Sequence, residues 1–275
     1  MNEILNEQEE ALLNATIEEI YQEHFSSPAI PENEESALLD TSTSRFSSAL
    51  WYQRVKDQNI LLAGLGGIGS HVAFLLSRLQ PHRILIMDPD YVEESNLSGQ
   101  LYGVYDIGNS KTSSAGRVMM KYSDFYDYST IQEAFTEETS YSSDIMICGF
   151  DNMTARSVFF EKWLEHVAEG GIDNKENCLF IDGRLAAEEF QVFCIKGSDN
   201  HSMHRYSHDY LFSDEEAEET ICSYKQTTFT ASMIASVIVN LFVNFVSNQV
   251  DHVLDRDLPF YTYYDAKRMY FTTEP

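Results

Sequence analysis

Basic residues are scarce: 18 Lys and Arg stand against 44 Asp and Glu in 275 residues, a formal net charge of −26. A surface of that sign repels other polyanions over a Debye length, which argues against nucleic acid or an anionic membrane as partner. A basic partner suits it better, although excess surface acid also serves solubility alone. Residues 1–44 hold no Lys or Arg at all. Cysteine is sparse as well. Cys148, Cys178, Cys194 and Cys222 lie far apart with no CxxC pair, so no structural zinc site is suggested. No secretory n-region or h-region is visible, and the chain is expected to be cytoplasmic with reduced thiols. No internal repeat is present. Charge is missing from one long stretch, Thr228 to Val250, which is long enough to span a bilayer. That stretch carries Thr228, Thr230, Ser232, Ser236, Asn240 and Asn244, and no basic cluster follows it. It is expected to be a helix buried in the domain core or a dimer interface.

What is abundant is apolar and aromatic: 43% and 13% of the chain, the content of a folded globular protein. Its length suits one large α/β domain with a sizeable core, or two small ones. The organising stretch runs from Ile60 to Lys111. Ile60-Leu61-Leu62-Ala63 reads as a short buried strand, and Gly64-Leu65-Gly66-Gly67-Ile68-Gly69-Ser70 as a turn. Val72, Leu75, Leu76 and Leu79 then recur at helical spacing, and a second strand, Ile84 to Met87, ends on Asp88. Strand, glycine turn, helix, strand and acid make half of a nucleotide-binding crevice. Residues without Cβ let the backbone press against a phosphate, and the N–H groups of the helix start attract that anion.

Gly64, Gly66 and Gly69 with Asp88 also fit the dinucleotide fingerprint, so an NAD-dependent dehydrogenase is one reading. The doubled Gly66-Gly67 points elsewhere. So does the run Asp88-Pro89-Asp90-Tyr91-Val92-Glu93-Glu94-Ser95-Asn96-Leu97-Ser98-Gly99-Gln100, followed by Ile107-Gly108-Asn109-Ser110-Lys111. Together these resemble the ThiF/MoeB/HesA superfamily, the ubiquitin-activating type of adenylyltransferase. Its pattern is GxGGxGS, then D-x-D-x-V-x-x-S-N-L-x-R-Q, then I-G-x-x-K. Its DNxxxR motif is present as Asp151 to Arg156. The resemblance covers roughly Arg45 to Arg184 well and the remainder loosely.

Adenylation needs a phosphate cradle, a cation near the leaving pyrophosphate, a magnesium site and a ribose anchor. Gly67 and its neighbours would approach the phosphates, and Asp88 at a strand end would take the ribose hydroxyls. Lys111 reaches the triphosphate as a point charge. Asp151, beside Asn152, is a hard oxygen ligand suited to magnesium. The resemblance puts these same functions on these positions. A lone Lys or Asp is usually a solvated surface charge, but three at these intervals point to function. Ser95 and Asn96 match the family's SNL and are expected to shape the pocket; Asp90 also matches, or merely orders its loop.

One departure stands out. The arginine of the family's NLxRQ is Gly99 here, with Gln100 kept. Losing such a charge costs about 3 kcal/mol of transition-state stabilisation unless another guanidinium replaces it. The candidates are Arg184, after a core strand, and Arg45, whose Arg-Phe is similar to the family's RYxRQ. Arg54 is a third. The second arginine of RYxRQ, which in the family reaches the neighbouring subunit's ATP, falls on Ser48. Cys222, late in a long polar loop, is the candidate nucleophile, because many superfamily members carry a thioester or persulfide cysteine on a similar crossover loop. The acidic run Asp214 to Glu219 opposes its thiolate, so a structural role stays open. Cys148, Cys178 and Cys194 read as inert core.

Elsewhere, Leu12, Leu13, Ile17, Ile20 and Tyr21 predict an amphipathic helix in an acidic extension, residues 1–44, broken by Pro28 and Pro31. Residues 45–275 form the adenylation domain of the resemblance. A helix is expected from Thr112 to Tyr122, begun near Lys111, and a strand near Ser129 to Phe135. Further strands are expected at Ile145–Cys148 and Cys178–Ile181, with Asn152 capping a helix to about Ala168. Phe190, Val192 and Cys194 alternate as a strand in an antiparallel extension should, and residues 260–264 and 269–272 read as a closing hairpin. Residues 197–226 show no period and read as a polar crossover-type loop. His201, His204 and His208 within it are taken as solvated rather than metal-bound.

The expected fold is therefore α/β: a Rossmann-like, mostly parallel sheet flanked by helices, with an antiparallel extension. The resemblance implies a homodimeric, ATP- and magnesium-dependent adenylyltransferase that activates a carboxylate, typically the C-terminal glycine of a ubiquitin-like or sulfur-carrier protein, with possible transfer to Cys222. Gly99 and Ser48 keep open a catalytically inactive scaffold subunit of the same family.

Overall fold

The computed structural model describes residues 43–213, 227–250 and 255–275. The helix expected within residues 1–44 and the nucleophile candidate Cys222 lie outside them.

The period-2 pattern of the apolar runs is spent on two cores. In β1 (Asn59–Ala63), Ile60 and Leu62 join Val72, Leu76, Ile238 and Phe242, whereas Leu61 and Ala63 join Phe159, Phe160 and Trp163. A strand with apolar side chains on both faces has to be covered on both, which is the condition for a parallel sheet. The sheet has eight strands in the order β3-β2-β1-β4-β5-β6-β7-β8. β3 (Tyr128–Ile131), β2 (Arg83–Met87), β1, β4 (Ile145–Cys148) and β5 (Leu179–Ala186) run parallel. β6 (Glu189–Lys196), β7 (Tyr261–Asp265) and β8 (Tyr270–Glu274) continue it antiparallel, as the alternation and the terminal hairpin predicted.

A short helix, α1 (Leu50–Lys56), leads into β1. α2 (Gly67–Leu79) and α3 (Lys111–Ser123) follow β1 and precede β3, with Ser110 capping α3 by accepting the Ser113 N–H. α4 (Met153–Glu169) begins where expected, because the Asn152 side chain accepts the Ala155 N–H at 2.8 Å. The four-residue α5 (Gly171–Asn174) leads toward β5.

Three expectations change. β3 stops at Ile131, and Phe135 enters the second core from a loop instead of a strand. β5 runs to Ala186, beyond Ile181, because β6 pairs with it over its whole length. The stretch read as a polar loop from 197 begins as helix: α6 (Asn200–Arg205), capped by Asp199, then one π turn over Tyr206–Tyr210. Its anchor is Tyr206, fully buried among Phe160, Phe180 and Phe193. The three histidines lie on its exposed side, with the His204 and His208 rings 4.5 Å apart.

α7 (Thr228–Asn248) is long and apolar enough to cross a membrane by length and composition. It is instead a core helix: Ala231, Ile234, Ala235, Ile238, Phe242 and Phe245 are buried against α2, β5 and β6. Its uncharged exposed face includes Phe229 and Met233.

Candidate nucleotide-binding crevice

β1 lies between β2 and β4, so the strand order reverses at its carboxyl end. At such a switch point adjacent loops part and leave a crevice. The glycines after β1 divide the work there. Gly64 has φ +83°, and a Cβ on it would stand 2.6 Å from the Gly149 carbonyl carbon. One on Gly69 would stand 1.8 Å from the Gly64 oxygen, and one on Gly149 2.7 Å from that same oxygen. These three bring backbone against backbone and join the turn after β1 to the turn after β4. Gly66 differs: a Cβ there would meet nothing within 4 Å. It faces open space at the start of α2, where the free N–H groups and dipole of Gly67 and its neighbours favour an anion.

Asp88 follows β2 and is only 5% exposed. Its Oδ2 accepts the Leu65 N–H at 2.6 Å and its Oδ1 the Asp90 N–H at 2.8 Å, so it holds the glycine turn in shape. Burial raises its pKa, against the pull of the Lys111 charge and of the two N–H groups. Lys111 at the start of α3 is buried to 7% exposure, its Nζ 2.8 Å from Asp90 Oδ2 and 4.0 Å from Asp88 Oδ1. The Tyr102 hydroxyl donates to the Leu65 carbonyl at 2.8 Å, and burial pushes its pKa well up. Ser70 Oγ accepts the Leu101 N–H.

The SNL segment is a 3₁₀ turn, Glu94–Ser98, in which Asn96 Oδ1 accepts the Glu93 N–H at 2.9 Å. Asn96 thus orders the loop through the backbone, and the exposed Ser95 hydroxyl turns to Glu93. Gly99 is buried, and the Thr228 hydroxyl at the start of α7 donates to the neighbouring Ser98 carbonyl. Gln100 Oε1 is buried with no hydrogen-bond partner. The open side of Gly66 at a helix start, in the turn that Asp88 braces and with the Lys111 cation beside Asp88, is what an anionic ligand would complete. The residues present therefore fit a nucleotide.

On the other wall, Asp151 is exposed at the end of β4, beside Asn152, whose side chain is occupied in capping α4. Beneath this turn lies a buried ionic knot. Arg156 donates to the Phe150 carbonyl and ion-pairs with Asp182, itself fully buried on β5. Asp182 Oδ2 also takes Arg184 Nε at 2.7 Å and the Tyr206 hydroxyl at 2.9 Å. The Arg184 guanidinium lies 4.6 Å over the Phe193 ring and lines a shallow cavity of about 150 Å³ with Leu185, Phe190, Gln191 and Tyr263. Arg45 is exposed in the turn before α1. Arg54 donates to Gln249 and to Asn177, at the start of β5, the opposite rim of the sheet from the crevice. That placement removes Arg54 as a replacement for the missing arginine within its own subunit.

The structure thus gathers Gly64, Gly66, Gly67, Gly69, Asp88, Asp90 and Lys111, with Asp151 and Asn152 on the neighbouring turn. Gln100 precedes Leu101, whose N–H reaches Ser70, and its side chain is brought to none of them by a hydrogen bond. Gly149, Tyr102, Asp182 and Tyr206 were missed. Only Gly149 had a signal, a glycine directly after a buried strand. Cys148 and Cys194 are buried, and burial pushes the Cys194 thiol up to about 12.

The comparisons agree with this architecture. Residues 39–274 match the ThiF family model. Ubiquitin-like modifier-activating enzyme 5 of Drosophila pseudoobscura pseudoobscura is 29% identical over 97 residues, 35% of this chain and 24% of that protein. A probable molybdopterin-synthase adenylyltransferase of Porphyra purpurea is 32% identical over 118 residues, 41% of this chain and 31% of that protein. The matched stretches therefore span a third or less of these relatives. Among solved structures, PaaA superposes with TM-score 0.64 at 15% identity, over 99% of this chain and 83% of that one. E. coli MccB, solved with ATP, gives 0.63 at 14% identity, over 98% and 79%. β4 and β5 continue the parallel order of a dinucleotide fold, but the sixth strand, β6, is antiparallel, where that fold has a parallel one. By motif, strand order and family match, this chain belongs to the ThiF family.

Proposed function

We propose that the chain is an ATP-dependent adenylyltransferase that activates a carboxylate. The observation that supports the reading is Lys111 Nζ held beside Asp88 and Asp90, where Asp88 braces the glycine turn through the Leu65 N–H, with the open side of Gly66 in that same turn. The α2 N-terminus would receive the phosphates, and Lys111, presently shared between Asp88 and Asp90, would turn part of its charge to the departing pyrophosphate. Asp88 keeps the turn rigid and has lone pairs left for the ribose hydroxyls. Asp151 would hold magnesium, which supplies Lewis-acid stabilisation of phosphoryl charge when bound. The carboxylate oxygen attacks the α-phosphorus and pyrophosphate leaves.

The finer reading is a C-terminal carboxylate of a ubiquitin-like or sulfur-carrier protein, acted on by a homodimer, with later transfer to Cys222. It is supported by relatives named for modifier activation and molybdopterin-synthase adenylylation. MccB has also been solved together with MccA and AMPCPP. The second reading, an inactive scaffold subunit, draws on Gly99 and Ser48. ATP with magnesium should raise the melting temperature more than NAD does, since a ligand that binds only the native state shifts unfolding by mass action. Equal or greater stabilisation by NAD sinks the nucleotide assignment. ATP–pyrophosphate exchange with a competent acceptor separates enzyme from scaffold.

A further inference from the structure

At the rim of the sheet opposite the crevice, three side chains of different chemistry meet. Asp144 immediately precedes β4, His166 lies in the last turn of α4, and Cys178 immediately precedes β5. One donor atom from each lies within 4.8 Å of the other two. His166 Nε2 is 2.8 Å from Asp144 Oδ1, and Cys178 Sγ is 3.7 Å from that oxygen. Tetrahedral zinc with ordinary bond lengths puts its donors about 3.3–3.6 Å apart, so side-chain adjustments of about 1 Å would admit an ion.

We propose that Asp144, His166 and Cys178 form a binding site for a zinc-class divalent ion, independent of the nucleotide crevice.

The surroundings are those a metal site requires. Ser142 Oγ lies 3.0 Å from His166 Nδ1, the outer contact that aims the other ring nitrogen inward. The Asp144 backbone is fixed, its carbonyl accepting from Trp163 Nε1 and from the Leu179 N–H. Cys178 is equally fixed: its carbonyl takes the Gly197 N–H at 2.8 Å, and a Cβ on Gly197 would stand 2.7 Å from the Cys178 Cβ. Asn174 Nδ2 contacts both Asp144 Oδ1 and Cys178 Sγ, and a half-turn of its amide would offer an oxygen as fourth ligand. A thiolate, an imidazole and a carboxylate select zinc or cobalt over magnesium or calcium. On binding, the Cys178 thiol proton passes to solvent and the sulfur bonds the ion. The ion would then tie together the starts of β4 and β5 and the end of α4. No CxxC spacing announces the site, because its ligands come from three separate elements.

Chelator-stripped full-length protein titrated with cobalt(II) should show one equivalent of a thiolate-to-cobalt charge-transfer band. Zinc should displace it and raise the melting temperature. Cys178→Ser should abolish the band, and Asp144→Asn should weaken binding at least tenfold; Cys222→Ser should leave both intact. Asp144 is partly exposed, so its variant keeps the test valid if Cys178→Ser fails to fold. No band in the wild type, a band that survives Cys178→Ser, or unchanged affinity in Asp144→Asn overturns the proposal.

Discussion

Lys111 Nζ rests 2.8 Å from Asp90 Oδ2, in a pair whose lysine is buried and whose aspartate side chain is 62% exposed. The ammonium is therefore held at the crevice by a partner that water can replace. On the adenylation reading it trades part of this contact for phosphate oxygens. Lys111→Ala should lower pyrophosphate exchange by about a hundredfold or more, the usual loss when one preorganised donor is removed from a transition state. Exchange within threefold of wild type would remove Lys111 from the machinery.

Gly66 and Gly69 lie in one motif but should fail differently. Gly69→Ala has no room, since its Cβ would overlap the Gly64 carbonyl, and it should lower the melting temperature steeply. Gly66→Ala meets nothing in the protein and should fold normally. Its methyl group would occupy the space assigned to phosphate, so ATP affinity should fall by at least tenfold. Calorimetric titration of a folded Gly66→Ala variant checks this; unchanged affinity places the phosphates elsewhere.

Burial raises the Asp88 pKa above its unfolded value, which fixes the sign of a pH effect. Across the window from the ordinary carboxylate pKa up to the raised one, the folded state binds more protons than the unfolded one. Its contribution to stability is full below that window and is lost as pH rises through it. Asp88→Asn should remove that decline. It should also cost about 1–3 kcal/mol at every pH, because an amide cannot accept both the Leu65 and Asp90 N–H groups. Urea unfolding over the acid range measures both, and an unchanged slope in the variant contradicts the assignment.

Asp151 is exposed and leaves the helix cap to Asn152, so its removal should hardly touch the fold. Asp151→Ala is expected to stay within about 0.5 kcal/mol of wild-type stability while losing magnesium-dependent exchange. Activity that persists at ordinary magnesium concentrations would show that the ligand lies elsewhere.

The half of the sheet around β1 was legible because its chemistry is local. A glycine turn, an acid at the next strand end and a lysine at a helix start announce themselves by spacing. The Arg156–Asp182–Tyr206 knot was not legible, since its members are 26 and 24 residues apart and only tertiary packing brings them together. The same reason hid α6 and its π turn. A six-residue helix carries too few turns for a period, and its identity rests on one aromatic ring entering a core that the sequence does not map. The Asp144–His166–Cys178 group escaped likewise, as no two of its members are neighbours in the chain.

The missing arginine at Gly99 gives the prediction with most to lose. If the protein adenylates a carboxylate, Lys111 alone leaves much of the developing pyrophosphate charge uncompensated, and another guanidinium has to reach the crevice. Arg184 is bound to Asp182 at 2.7 Å and stacked on Phe193, so it is rigidly placed but already engaged. Arg45 is exposed and, among the described residues, has no ion pair of the kind that holds Arg184, so on the adenylation reading it is the freer of the two. Arg184→Lys keeps a charge beside Asp182 but loses the planar fork. Arg45→Ala should leave the melting temperature unchanged, which separates catalysis from folding at that position. Pyrophosphate exchange should fall by about a hundredfold in at least one of the two variants. Wild-type exchange in both, and in the double variant, would show that neither replaces the absent charge. No exchange in the wild type, with ATP bound and a competent acceptor present, would favour the scaffold reading over the enzyme.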